Sequence, residues 1–260
     1  MKLKRSIAAL LLPAVACGAG SCKKDEDVMD DDHHHTGTGT LRINVVPMFG
    51  DSVLDLNTES YVTANGDTLT VSTFRFYLSN IVLTDDAGGH YSVADGYYLV
   101  DASSASSQAI TLQDIPSEHY TNISFLVGVD SARNVSGSQT GALDPANAMF
   151  WTWSSGYIMA KLEGTSPQSS ASMHTVTVHI GGFSGANSVL RTVNIPLSTH
   201  AMVSTGVSPV INLTADAAEW FMNPNLIDFS ATPSTTMPGA LAVQIADNYS
   251  HMFELTSVQN

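Results

Sequence analysis

TFRFYLSNIVL, residues 73–83, alternates apolar and polar side chains over part of its length. A period of two residues marks a strand with one buried face, and the β-branched and aromatic content agrees. Working outward, LRINV (41–45) alternates in the same way. Further strand-like runs lie at 97–100, 120–129, 156–162, 173–180, 189–195 and 209–213. Between them stand Asn65-Gly66-Asp67 and the stretches 85–89 and 181–188, all with turn chemistry. Many short strands with few helical windows predict an all-β domain, an antiparallel β-sandwich of Greek-key-like connectivity. The tail reads differently. Residues 215–222 are long enough for two helical turns, and Ala242, Ile245, Tyr249, Met252 and Phe253 recur at helical spacing. A second short helix is therefore expected over 239–254, laying its apolar stripe on the sandwich. No linker-like stretch interrupts residues 41–260, so they are read as one domain.

Charge limits the partners. The chain of 260 residues has a formal net charge of −14, and only five of its ten cations lie beyond residue 25: Arg42, Arg75, Arg133, Lys161 and Arg191. An acidic body of this kind repels phosphate backbones, so a nucleic-acid partner is excluded, and cations are the natural small partners.

The other cations cluster at the N-terminus. Lys2, Lys4 and Arg5 precede a short apolar run (7–16), and Ala19-Gly20-Ser21 leads into Cys22. The arrangement resembles a bacterial lipoprotein signal, which implies removal of residues 1–21 and acylation of Cys22; Cys17 is the competing cleavage point. Residues 22–40, CKKDEDVMDDDHHHTGTGT, carry dense charge without apolar periodicity and are expected to form a flexible acidic tether. Lys23-Lys24-Asp25-Glu26 after the cysteine resembles the export signal of Bacteroidetes lipoproteins. It implies an outer-membrane lipid anchor with display on the cell surface, a periplasm-facing anchor being the alternative. His33, His34 and His35 beside three aspartates are weak candidate metal ligands, and a solvated acidic linker with incidental histidines is the simpler reading. With Cys17 discarded and Cys22 acylated, no cysteine remains for a disulfide, a thiolate metal site or a nucleophile.

The chain carries no nucleophile elbow, phosphate-binding loop, zinc-protease helix or CxxC pair. A non-enzymatic role without an organic cofactor is expected. The unusual chemistry lies between residues 128 and 182. Met149, Phe150, Trp151, Trp153 and Tyr157 crowd one segment, and Trp151 and Trp153 share a face if it is extended. In MHTVTVHIGG (173–182), His179 is expected to share a strand face with Met173, Thr175 and Thr177, with His174 opposite. Imidazole, thioether and indole in a thiol-free acidic protein suit copper. Plain core packing is the competing reading for the tryptophans. His174, His200 and His251 are weaker candidates. Asp130, Asn134 and Asp144 offer oxygens to Ca²⁺, although turn-stabilising bonds explain them more simply.

MFWTWSSGYIMAKLEG (149–164) followed by HIGG (179–182), with GVD (128–130) and RFYLSN (75–80) upstream, resembles the MbnP family of copper-binding proteins of the cell envelope. The likeness extends to ADNYSHMF (246–253). It implies an all-β fold and copper binding that depends on oxidation of a tryptophan to kynurenine by a partner enzyme, a di-haem relative of cytochrome c peroxidases. By resemblance, Trp151 or Trp153 is the modified residue, His179 the imidazole ligand and Met149 a neighbouring candidate. A role in copper acquisition or handling follows, with an outer-membrane transporter as a candidate partner. Two departures bear on the site: Val135 stands where many relatives have histidine, and no cysteine follows Gly182. The alternative function is a surface binding or adhesion module whose Trp/Tyr platform recognises glycan or protein.

Overall fold

The computed structural model describes residues 37–152 and 155–260. The leader, most of the tether, and with them Cys22, His33, His34 and His35, lie outside the described residues, as does Trp153.

Strands are the main regular structure of the described residues. In order they are β1 (Thr38–Phe49), β2 (Ser52–Val53), β3 (Tyr61–Val62), β4 (Thr68–Asp85), β5 (His90–Ser92), β6 (Tyr97–Asp101), β7 (Ala109–Pro116) and β8 (His119–Val127). After the one-turn helix α1 (Ser131–Asn134) come β9 (Phe150–Thr152), β10 (Gly156–Thr165), β11 (Thr175–Gly181), β12 (Arg191–Met202), β13 (Val210–Asp216) and β14 (Ser234–Thr235). Helix α2 (Ala240–Tyr249) precedes the last strand, β15 (Phe253–Gln259). One sheet runs β15-β13-β1-β2 with β7 also on β1; the larger runs β12-β8-β4-β10-β11-β14, with β3, β5 and β6 on β4 and β9 on β10.

The all-β sandwich expected from the alternation is the fold observed. Its pairings are antiparallel except β1 with β13 and β11 with β14. The opening stretch explains its own imperfect alternation. Phe74, Phe76 and Leu78 are buried on even positions, whereas Ile81 and Leu83 are buried on odd ones. The switch falls at Asn80, whose φ of 51° lies in the left-handed region, and the β4–β8 register shifts between Ser79 and Val82. One extra residue in a strand inverts which face each later side chain meets.

The sheets close on aromatic side chains. Phe253 meets Phe76 and Phe125 edge-on, at 5.6 and 4.9 Å between centroids, and Phe74 meets Trp220 at 5.5 Å. Trp220, the third tryptophan, is fully buried and donates its Nε1–H to Met252 Sδ at 3.1 Å. Full burial of each such ring contributes about 1.5–3 kcal/mol.

Three local expectations are corrected. The helix expected to reach residue 254 stops at Tyr249, and Phe253 opens β15, which pairs with the free edge of β13. The stretch 215–222 holds one 3-10 helix, Ala217–Phe221, capped by Asp216, whose carboxylate accepts the Ala218 N–H. Met173 and His174 both adopt left-handed φ, at 57° and 54°, so β11 starts at Thr175. Met173 is thus no part of the His179 strand face, and His174 Nδ1 turns to the Ser169 carbonyl, 3.1 Å away. At the other boundary, β1 begins at Thr38, within the stretch read as tether.

Candidate metal centre

A polar row crosses four strands on the outer face of the larger sheet. Asp101 on β6 stands opposite Arg75 on β4, Arg75 opposite Lys161 on β10, and Lys161 opposite His179 on β11. Directly opposed residues in a ladder project to one side, so the four side chains share a face. Their neighbours Phe74, Phe76, Leu162, Val178 and Ile180 fill the core on the other side. In the next row Glu163 lies opposite Thr73 and Thr177.

The row holds down the Trp-containing segment. Lys161 Nζ donates to the Ala148 carbonyl at 2.7 Å, and Arg75 Nη1 to that of Asn147 at 3.3 Å. Arg75 Nε is 2.8 Å from Asp101 Oδ2, an ion pair whose angle is too poor for a hydrogen bond. Tyr77 and Tyr157, packed edge-on at 5.8 Å, donate their hydroxyls to the carbonyls of Ala142 and Leu143. Asn134, buried at the end of α1, accepts the Tyr157 N–H at 3.0 Å and donates to the Val129 and Asp130 carbonyls. Gly156 is required beside it: its φ is +76°, and a Cβ there would lie 2.3 Å from Asn134 Oδ1.

Two sequence-predicted residues are brought together. His179 and Gly181 are two apart on β11 and so face the same way, about 7 Å apart along the strand. The space a Gly181 side chain would take is filled by the Trp151 indole, whose Cζ3 lies 2.4 Å from the ideal Cβ position. Trp151 therefore covers the patch next to His179 and is half-buried against the core. Met149 is fully buried in the apolar cluster, where an adaptable thioether fills space, and its carbonyl accepts the Ile158 N–H. Asp130, Asn134 and Asp144 are used by their own turns. Asp130 caps α1 through the Arg133 N–H and makes a short hydrogen bond with Tyr97, and Asp144 accepts the Ala146 N–H. Val135 is exposed just beyond α1.

The sequence reading missed the residue that braces His179. Glu163 Oε1 lies 2.7 Å from His179 Nε2, and Thr73 donates to Glu163 Oε2 at 3.0 Å. Burial lowers the His179 pKa, and the Lys161 charge adds to this; together they outweigh the opposing pull of Glu163. Burial works to raise Glu163, but hydrogen bonds from His179 and Thr73 and the Lys161 charge prevail and hold it below the usual range. Burial also lowers Lys161. The pair is thus a carboxylate accepting from the Nε2–H of a neutral imidazole, which leaves the Nδ1 lone pair as the one suited to a metal. A ring nitrogen held by a carboxylate is the usual second partner of a metal-binding histidine. The signal for Glu163 was its even spacing from Lys161 on one strand, but only the β10–β11 register ties it to His179.

Fold and face together define an all-β sandwich with an imidazole–carboxylate pair on the strand face that Trp151 also meets, at Gly181. The chain belongs to the MbnP family, whose model matches residues 38–238. That match ends before the 246–253 block. Among solved structures, MbnP from Methylosinus trichosporium matches with a TM-score of 0.52 and 14% identity, covering 79% of this chain and 87% of that one, a likeness of fold. A search of curated proteins returns no match.

Proposed function

We propose that the protein is a cell-envelope lipoprotein, anchored through Cys22, that binds copper at the His179 face for acquisition or handling rather than catalysing a reaction. The observation that carries this is the Glu163–His179 pair: a neutral imidazole, oriented by a carboxylate, on the same strand face as the Trp151 indole. An indole offers copper no ligand comparable to an imidazole. Oxidation of Trp151 or Trp153 to kynurenine supplies an aryl amine and a ketone, and with Val135 in place of a second histidine the site depends on that conversion. The di-haem partner expected from the family would perform it, and an outer-membrane transporter would receive or deliver the metal. The donors that this conversion would bring together, one imidazole nitrogen and an aryl amine, suit copper better than a hard cation such as Ca²⁺. A glycan- or protein-stacking platform is less well served, because Trp151 is half-buried with its ring edge turned onto Gly181.

The test is peptide mass spectrometry and copper analysis of protein from the native host, or from cells co-expressing the neighbouring genes. Kynurenine differs from tryptophan by one carbon exchanged for one oxygen. That shift at residue 151 or 153, with bound copper lost in His179→Ala, is expected. Unmodified tryptophans together with copper-free protein would sink the proposal.

A further inference from the structure

A second set of ligands lies far from the His179 face. Asp86 follows the end of β4, His119 opens β8, and His200 lies near the end of β12. One ligand atom from each falls within 4.8 Å of the others. Asp86 Oδ2 is 3.7 Å from His119 Nδ1 and 4.0 Å from His200 Nδ1, and the imidazole centroids are 6.4 Å apart. We infer that Asp86, His119 and His200 form a distinct site for a divalent first-row transition metal, zinc(II) or copper(II).

Ligand atoms around a tetrahedral ion with bonds of about 2.0–2.1 Å stand about 3.3–3.4 Å apart. The three atoms, at most 4.8 Å apart, therefore need to close by about 1.5 Å at most, a shift within the reach of χ rotations of side chains that are 41–52% exposed. The backbone beneath them is fixed. The Asp86 N–H donates to the His119 carbonyl at 3.0 Å, and His119 is registered opposite Met202. The side chain of Asn260 clamps the other strand, donating to the His200 carbonyl and accepting from the Met202 N–H. Between Pro196 and Ala201 the ladder advances five residues on β12 against two on β8. Such bulges re-aim side chains, and this one ends beside His200.

The chemistry is selective. Two imidazoles and one carboxylate suit zinc or copper, not calcium or magnesium, and a three-ligand set leaves a coordination position open for exchange. The site does not depend on the copper reading of the His179 face. His119 and Val127 stand at opposite ends of β8, about 27 Å apart at strand rise, and it is the Val127 end that leads toward β9 and Trp151.

The probe is zinc(II) alone, titrated calorimetrically into full-length chain carrying His33→Ala, His34→Ala and His35→Ala to silence the tether. One equivalent is expected, with affinity falling at least about tenfold in His119→Ala and again in His200→Ala, and unchanged in His179→Ala. Copper(II) should selectively broaden the His119 and His200 imidazole NMR signals of the tether-silenced parent, a readout independent of variant folding. Absence of binding in the parent, affinity unchanged from the parent in either His119→Ala or His200→Ala, or loss in His179→Ala instead would each overturn the site.

Discussion

Replacing Gly181 by alanine places a Cβ 2.4 Å from Trp151 Cζ3, 2.8 Å from Cη2 and 3.0 Å from the Tyr157 carbonyl oxygen. Carbon atoms pack at about 3.5–4.0 Å, so the indole must retreat by about an ångström or more. The φ at Gly181 is one any residue adopts, so the cost is steric alone. Overpacking of this kind costs about 1–3 kcal/mol, and in a domain of this size each kcal/mol lowers Tm by about 2–4 °C. Urea and thermal unfolding of Gly181→Ala, Trp151→Ala and the double variant separate the causes. With the indole gone only the 3.0 Å approach to the Tyr157 carbonyl remains, so the double variant should be more stable than additivity predicts by about 0.5–3 kcal/mol. Gly164→Ala is the control: its Cβ would meet the Thr70 carbonyl at 2.3 Å, a backbone clash that Trp151→Ala cannot relieve. Strict additivity of Gly181→Ala with Trp151→Ala would refute the placement of the indole over β11, and with it the juxtaposition of Trp151 and His179.

Asn134→Ala leaves the buried Tyr157 N–H without its acceptor and should cost about 1–3 kcal/mol, with faster hydrogen exchange at Tyr157 as the local readout. Glu163→Ala removes the acceptor that orients His179, and copper affinity of the modified protein should fall about 10–100-fold by competition titration, while the fold persists by circular dichroism. The Asp216 pKa is raised by burial, so folding disfavours its ionised form. The wild type is therefore penalised at pH above the folded pKa and not below the unfolded one. Asp216→Asn keeps an oxygen for the Gly50 and Ala218 N–H groups and should stabilise at neutral pH, the gain vanishing as pH falls through the carboxylate range. Unfolding curves at pH 4 and pH 7 with the same gain would contradict that reasoning.

The strands were legible because a half-buried strand writes its period into the sequence, as 41–45 and 73–83 do. The tail was not, because Ala242, Ile245, Tyr249, Met252 and Phe253 satisfy a helical period that the chain abandons after Tyr249. Phe253 is claimed instead by ring contacts with Phe76 and Phe125, partners far upstream that local spacing does not reveal. Met173 and His174 misled similarly, since their side chains give no sign of left-handed backbone. At the site, Trp151 and His179 were identifiable by type. Glu163 became a partner of His179 only through the β10–β11 register, which itself shifts between Ile158 and Ala160. Asp86, His119 and His200 come from three separate strand ends, and their meeting is a consequence of sheet order alone.

The acidic composition acts differently at the two candidate sites. On the His179 face the charges nearly cancel: Arg75 stands against Asp101, and Lys161 shares its surroundings with Glu163. Both cations are also engaged by loop carbonyls, so they hold the Trp-containing segment and give the face no net attraction for a metal ion. Under the proposed function, affinity there would come from ligand chemistry, a nitrogen set completed by an oxidised indole, which would favour a soft or borderline ion over the more abundant hard ones. At Asp86, His119 and His200 a carboxylate stands among the three ligand atoms themselves. A divalent ion gains Coulomb attraction as well as bonds there, and a solvent-exposed attraction is screened by salt. The physical distinction between the sites is thus measurable without knowing either ligand's biological source: raising ionic strength should weaken metal binding at the Asp86 cluster more than at His179.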